Sequence, residues 1–155
     1  MKGIKFLFLT VVICLVIGCA ARAPLAPPEM DSQAKLFEVP EGKSQIYLFR
    51  DEVLGMAIAF DVSLNDVPVG NTAANTYFCF TLPSGQYKID SIAENKSTLT
   101  INTEEGKNYF IWQEVKMGIL KARNKLQEVD EERGKRGVLK SKLILPSQYY
   151  YEVYD

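Results

Sequence analysis

Histidine is absent from the 155-residue chain. With it go the commonest general base, the Ser-His-Asp and Cys-His catalytic arrangements, and any His-ligated metal site. An excess of one charge is also missing: 18 Lys and Arg stand against 19 Asp and Glu, a net charge of −1. That balance offers no electrostatic footprint for nucleic acid. Disorder is excluded by composition, because 47% of residues are hydrophobic and only 24% charged. Cysteine is scarce, with three in the chain, and the place of each matters more than the number.

What is present begins with an address. Lys2 and Lys5 precede an apolar stretch, residues 6–17, broken only by Thr10 and Cys14. It has the length of a signal-peptide h-region and is short for a membrane span. It closes on Val16-Ile17-Gly18-Cys19, which looks like a bacterial lipobox. Val16 and Ile17 fill the peptidase recognition positions, and Gly18 is small enough for cleavage before Cys19. The Cys19 thiol then takes diacylglycerol as a thioether, and its freed amine takes an acyl chain such as palmitate. Two to three chains at about 0.8 kcal/mol per buried methylene make an essentially permanent anchor. These covalent lipids are the only added groups expected; the sequence calls for no cofactor and no metal. Ala20 follows the cysteine where Asp would favour the inner membrane. Similarity to Gram-negative lipoproteins therefore directs the chain to the outer membrane, its body facing the periplasm.

Processing simplifies the cysteines and the charge. Cys14 leaves with residues 1–18 and Cys19 becomes a thioether, so Cys79 stands alone and no internal disulfide can form. The mature chain keeps 16 basic against 19 acidic residues, a net −3. Residues 19–35 read as the lipidated cysteine and an extended Ala/Pro-rich tether, in which residues 20–35 span up to about 50 Å at polyproline rise. A body follows over residues 36–145, then a Tyr-rich tail over 146–155.

Within the body the dominant signal is alternation with period two, cut by turn residues. Residues 45–50 are apolar on both faces, which suits a central covered strand. Residues 56–64 put Met56, Ile58, Phe60, Val62 and Leu64 on one face. Asn65-Asp66 supplies a two-residue hairpin turn, and Pro68, which cannot donate to a ladder, makes the return strand short or puts it at an edge. Further strands are expected over residues 76–82, 86–92, 97–103, 108–115 and 119–129, with Pro83-Ser84-Gly85 and residues 104–107 as turns. The resulting fold class is mainly β, an antiparallel β-sandwich of transthyretin- or immunoglobulin-like kind, with a closed barrel as the alternative. Asp130 can cap a short C-terminal helix with Glu131 and Glu132 in its first turn, and Gly134 and Gly137 each cost that helix about 1 kcal/mol.

These features come in a recognisable order: the lipobox, Ile46-Tyr47-Leu48-Phe49-Arg50, the Asn65-Asp66 hairpin with Val69-Gly70, Leu82-Pro83-Ser84-Gly85 with Tyr87, and Gly106-Lys107-Asn108-Tyr109-Phe110. The chain resembles the bacterial lipoproteins of domain-of-unknown-function family twenty-eight forty-six over residues 35–129. The resemblance implies a β-sandwich and carries no activity and no catalytic residues.

Candidate sites are few. The carboxylate clusters Asp51-Glu52, Glu104-Glu105 and Asp130-Glu131-Glu132 fall in turns or at a helix start, where solvation explains them, and no catalytic residues are assigned. Cys79, between Phe78 and Phe80 in an alternating strand, reads as a buried inert thiol. Arg50 ends an apolar strand, either paired with Asp51, Asp61 or Glu114 or holding a carboxylate ligand in its fork. Trp112, and separately Tyr149, Tyr150, Tyr151 and Tyr154, are candidate ligand or partner contacts, the tyrosines adding an edge strand or meeting a partner. The expectation is a non-enzymatic lipid-anchored envelope protein. Its partners are the membrane, through the anchor, and an envelope protein or peptidoglycan, with no nucleic acid. A glycan-binding module using exposed aromatics is the alternative.

Overall fold

The alternation is realised as paired strands in the computed structural model, which describes residues 23–53, 57–119 and 122–154. Val16, Ile17, Gly18 and Cys19, and with them the lipobox, lie outside the described residues. The strands are β1 (Ser44–Arg50), β2 (Phe60–Leu64), β3 (Val67–Thr72), β4 (Thr76–Leu82), β5 (Gly85–Ile92), β6 (Lys96–Thr103), β7 (Asn108–Lys116), β8 (Arg123–Val129) and β9 (Lys142–Leu143). The described residues also form three helices: α1 (Pro28–Ala34), α2 (Glu131–Lys140) and α3 (Gln148–Tyr154). No helix among the described residues is long and apolar enough to cross a membrane.

The strands form two sheets, of order β8-β7-β1-β4-β9 and β3-β2-β5-β6, so the fold is a mainly-β sandwich and not a closed barrel. The first sheet is mixed rather than antiparallel: β1 pairs with β7, and β4 with β9, in parallel. The reason is topological. The chain leaves β1 for the second sheet, returns as β4, crosses again as β5 and β6, and comes back on β1's other side running the same way. β1, apolar on both faces, is buried along its whole length. Ile46 and Leu48 enter the core between the sheets with Val62, Phe78, Phe80, Ile89 and Ile111. Tyr47 and Phe49 enter a second core on the outer face with Tyr77, Phe110, Val138 and Leu143.

That second core exists because helices cover the first sheet. α2 lies across β1 and β7, capped by Asp130, whose carboxylate accepts from the Arg133 N–H at 2.8 Å. Its two glycines are buried. A Cβ on Gly134 would come within 2.1 Å of Phe110, and one on Gly137 within 2.1 Å of Phe49. Spaced three apart, they share one helix face and let the backbone rest on the aromatic rings. The propensity they forfeit is offset by that close approach.

Several expectations are corrected. The extended tether does not persist through residue 35: Leu25 bridges Ile144, and residues 28–34 form α1. Pro28 at the first helical position presets φ, and Glu29 and Asp31 in the first turn oppose the dipole. The strand expected over residues 56–64 begins at Phe60, because the Ile58 carbonyl accepts from Arg50 Nη1 at 2.8 Å and is lost to a ladder; Met56 lies outside the described residues. The last long strand starts at Arg123 rather than residue 119, and Ile119 is exposed in the β7–β8 turn. The Tyr-rich tail is neither an edge strand nor free; it is α3. The hairpin is as expected, with Asn65 and Asp66 at φ 48° and 67°. β3 lies at an edge, with a register slip beside Pro68.

Candidate functional site

β1 and β4 pair antiparallel with Gln45 opposite Thr81 and Tyr47 opposite Cys79, so all four side chains stand on the outer face of the first sheet. α2 covers the β1–β7 half of that face. The β4 side is left as a groove of about 320 Å³. Its floor is Gln45, Cys79 and Thr81; α1 forms one wall with Met30, Gln33 and Ala34; residues 143–146 with Tyr150 and Tyr151 form the other. The floor is polar but uncharged. Gln45 Nε2 donates to Thr81 Oγ1 at 3.4 Å, and the Tyr47 hydroxyl lies 3.0 Å from Gln45 Oε1 and 2.8 Å from the Ala34 carbonyl. Burial pushes the Cys79 thiol up to about 11, against the Tyr47 and Thr81 hydrogen bonds, so it holds almost no thiolate at neutral pH. The arrangement is suited to holding a short apolar segment while a few amide and hydroxyl groups fix its orientation. It presents no activated nucleophile.

The wall from α1 is held by a residue that the sequence placed in a linker. Asp31 accepts from the Leu143 N–H and the Tyr77 hydroxyl, both at 2.9 Å, and from Lys35 Nζ at 2.8 Å. Burial works to raise its pKa, but the bonds from Lys35, Leu143 and Tyr77 and the Lys35 charge outweigh it and hold the carboxyl below its ordinary range. The sequence did carry a signal: Pro28, acids within four residues of it, and Lys35 four residues after Asp31 form a helix-start pattern. A second missed residue is Gln113, fully buried between the sheets. It donates to Ser91 Oγ at 2.6 Å and accepts from the Thr72 hydroxyl, tying β7 to β5 and β3.

The residues singled out from the sequence do not converge. Arg50 is fully buried inside the sandwich, its guanidinium 4.5 Å from the Phe60 ring and bonded to the Ile58 carbonyl. Burial draws its pKa down, with the Glu52 charge acting the other way. Glu52 accepts from the Val115 N–H at 3.1 Å, and its pKa is raised, first by burial. Trp112 is half-buried on β7 beneath Arg133, whose guanidinium sits 4.7 Å from the indole and 5.1 Å from Phe49. That guanidinium is held in place by donating two 2.9 Å bonds to the Asp51 carboxylate. An open indole platform is therefore absent. Tyr150 is in the sandwich core, 5.4 Å from Phe80 between ring centroids. The Tyr154 hydroxyl donates to the Leu64 carbonyl at 3.3 Å. Tyr151 is exposed, and the side chain of Tyr149 lies outside the described residues.

The carboxylate clusters are engaged structurally. Asp51 pairs with Arg133, Glu104 with Lys107, Glu131 with Lys135 and Glu132 with Arg136, while Glu105 accepts from the Gly42 N–H. No group of three His, Cys, Asp or Glu among the described residues has metal-ligating geometry.

Comparison with known proteins gives two matches. A family model described as a protein of unknown function (DUF2846) matches residues 40–125, which run from just before β1 into β8. An uncharacterized protein of Haemophilus influenzae is 37% identical over 130 residues, covering 83% of this chain and 77% of that relative. No solved structure matches.

Proposed function

The chain belongs to the DUF2846 family of proteins of unknown function, which supplies no activity, and we propose from its own residues that it is a lipid-anchored protein of the bacterial cell envelope. Its β-sandwich is presented for interaction with a protein partner rather than for catalysis. The observation that carries the reading is Val16-Ile17-Gly18-Cys19 at the end of a basic-then-apolar leader. Cys19 bears diacylglycerol and an N-acyl chain, and Ala20 after it sends the protein to the outer membrane with the body in the periplasm. The groove floored by Gln45, Cys79 and Thr81 is the contact site for a short apolar segment of the partner. Two features support a non-catalytic role: carboxylates tied into ion pairs, and a groove thiol held protonated by burial. The alternative of a glycan platform finds less support, because Trp112 lies beneath Arg133 and Tyr150 is in the core.

Metabolic labelling with palmitate tests the anchor. The wild type incorporates label and fractionates with membranes, and Cys19→Ala does neither. Incorporation that survives Cys19→Ala would sink the anchoring claim. In-cell crosslinking from a photoreactive residue at Gln33 reports the partner, which is expected to be lost on replacing Thr81 by Lys in the groove floor.

A further inference from the structure

We infer that the body docks directly on the bilayer that holds its anchor, through the apolar surface around the point where the chain enters the fold, instead of standing off on a spacer. The inference rests on the anchoring reading above and adds the orientation of the body. It starts from where the described chain begins. Ala23 packs against the sandwich core, the Leu145 N–H donates to the Pro24 carbonyl at 3.3 Å, Leu25 bridges Ile144, and the Ala26 N–H donates to the Leu143 carbonyl at 2.9 Å. The tether is therefore over by residue 23. From Cys19 to Ala23 there are four residue steps, which reach about 14 Å at full extension. The headgroup layer on one side of a bilayer is about 5–7 Å thick, and the glycerol of a thioether-linked lipid sits at its inner boundary. Crossing that layer uses up to half of the reach. The surface beside Ala23 is then held within several ångströms of the headgroups, whatever path the four residues take.

That surface is apolar where it needs to be. Leu25, between residues bonded to 145 and 143, is 62% exposed, Met30 46% and Tyr151 39%, and Val153, in the same helix as Tyr151, is 57% exposed. Met30 and Tyr151 flank the groove whose wall includes Ile144 and Leu145, the partners of residues 25 and 24, so the partner segment taken by that groove is met at the bilayer surface. Tyrosine suits the headgroup level because its ring is apolar and its tip polar. Leu36, Val53, Ile92 and Leu139 are exposed as single apolar side chains elsewhere, and the two most exposed, Met117 and Ile119, stand in the β7–β8 turn. Register puts that turn beyond Arg50, whereas residues 25 and 24 run from the level of Ile144 toward the Leu82 end of β4. Ile119 therefore serves as an internal reference directed away from the membrane.

The test uses the full, cell-processed protein reconstituted into phosphatidylethanolamine/phosphatidylglycerol vesicles. Nitroxides are attached singly at Val153→Cys, Leu25→Cys and Ile119→Cys in a Cys79→Ala background. The ratio of collisions with dissolved oxygen to collisions with a water-soluble nickel chelate is expected to be several-fold higher at positions 153 and 25 than at 119. Either of the first two positions suffices if the other variant does not fold. Protein that floats with the vesicles while all three positions stay equally open to the chelate overturns the docking and leaves the anchor standing. Failure to float overturns both. Intermolecular spin–spin broadening at position 153 without oxygen enrichment assigns the face to a second copy of the chain and also overturns the bilayer contact.

Discussion

At Gly134 an added Cβ would strike Cβ and Cγ of Phe110, and at Gly137 it would strike the ring edge of Phe49. On an exposed helix, Gly→Ala stabilises by about 1 kcal/mol. Here overpacking, typically about 1–3 kcal/mol, reverses the sign. The two sites should also differ: the Phe49 ring can turn about χ1 and χ2, whereas Cβ of Phe110 is fixed to β7. Urea unfolding is expected to rank the wild type as most stable, then Gly137→Ala, then Gly134→Ala. Asp31 gives a pH signature. Its folded pKa lies below the ordinary value, so its contribution is complete above the unfolded pKa of about 4 and fades as pH falls toward the folded one. The stability gap between wild type and Asp31→Asn should stay constant from pH 8 to about 5 and narrow below about pH 4. A gap that widens on acidification would contradict the assignment. Both glycines and Asp31 were visible in the sequence, the glycines as a helix penalty and Asp31 as part of a linker. Their purpose was not, because each depends on a contact with a residue distant in the chain.

Among the elements, α3 shows most plainly what composition conceals. Four tyrosines in six residues read as surface for a partner, yet the helix closes the seam between the edge strand β3 and the short β9. Ser147 anchors it, its N–H donating to Val69 O at 2.8 Å and its hydroxyl to Pro68 O at 2.7 Å. Tyr150 enters the core beside Phe80. Neither edge of that seam offers enough covered surface alone, since β3 carries Pro68 and β9 has two residues. Tyr150→Ala is therefore expected to cost about 3 kcal/mol, the lower range for deleting a buried aromatic, and Tyr151→Ala under about 1 kcal/mol. Equal effects in denaturant titrations would refute the plug. The long strands were legible because alternation is local and survives any tertiary context. α1 was not, because Ala and Pro dominated the reading of residues 20–35 and hid the helix start at Pro28.

For the whole molecule, β1 is the organising strand. It lies at the centre of the first sheet, its pairing with β7 joins segments far apart in the chain, and both cores pack on it. Such non-local parallel pairing is slow to form, because loop closure must precede its reward. Refolding followed by the fluorescence of the single Trp, Trp112, is expected in milliseconds to seconds rather than microseconds. A microsecond phase carrying the full amplitude would contradict β1–β7 pairing as a late, obligatory step.

Sequence alone determined most of the strand positions, though not the starts of β2 and β8 or the existence of β9, together with the Asn65-Asp66 hairpin, the exclusion of Pro68 from a central strand and the Asp130 cap, since each depends on neighbours within a few residues. It also determined the family, through the order of turns and strand aromatics. Tertiary structure decided the parallel partner of β1, the helical layer seated on two glycines, the burial of Arg50 and Tyr150, and the groove between α1 and residues 143–151. These come from segments that meet only after the chain has crossed between sheets, and no local period encodes which surfaces then touch.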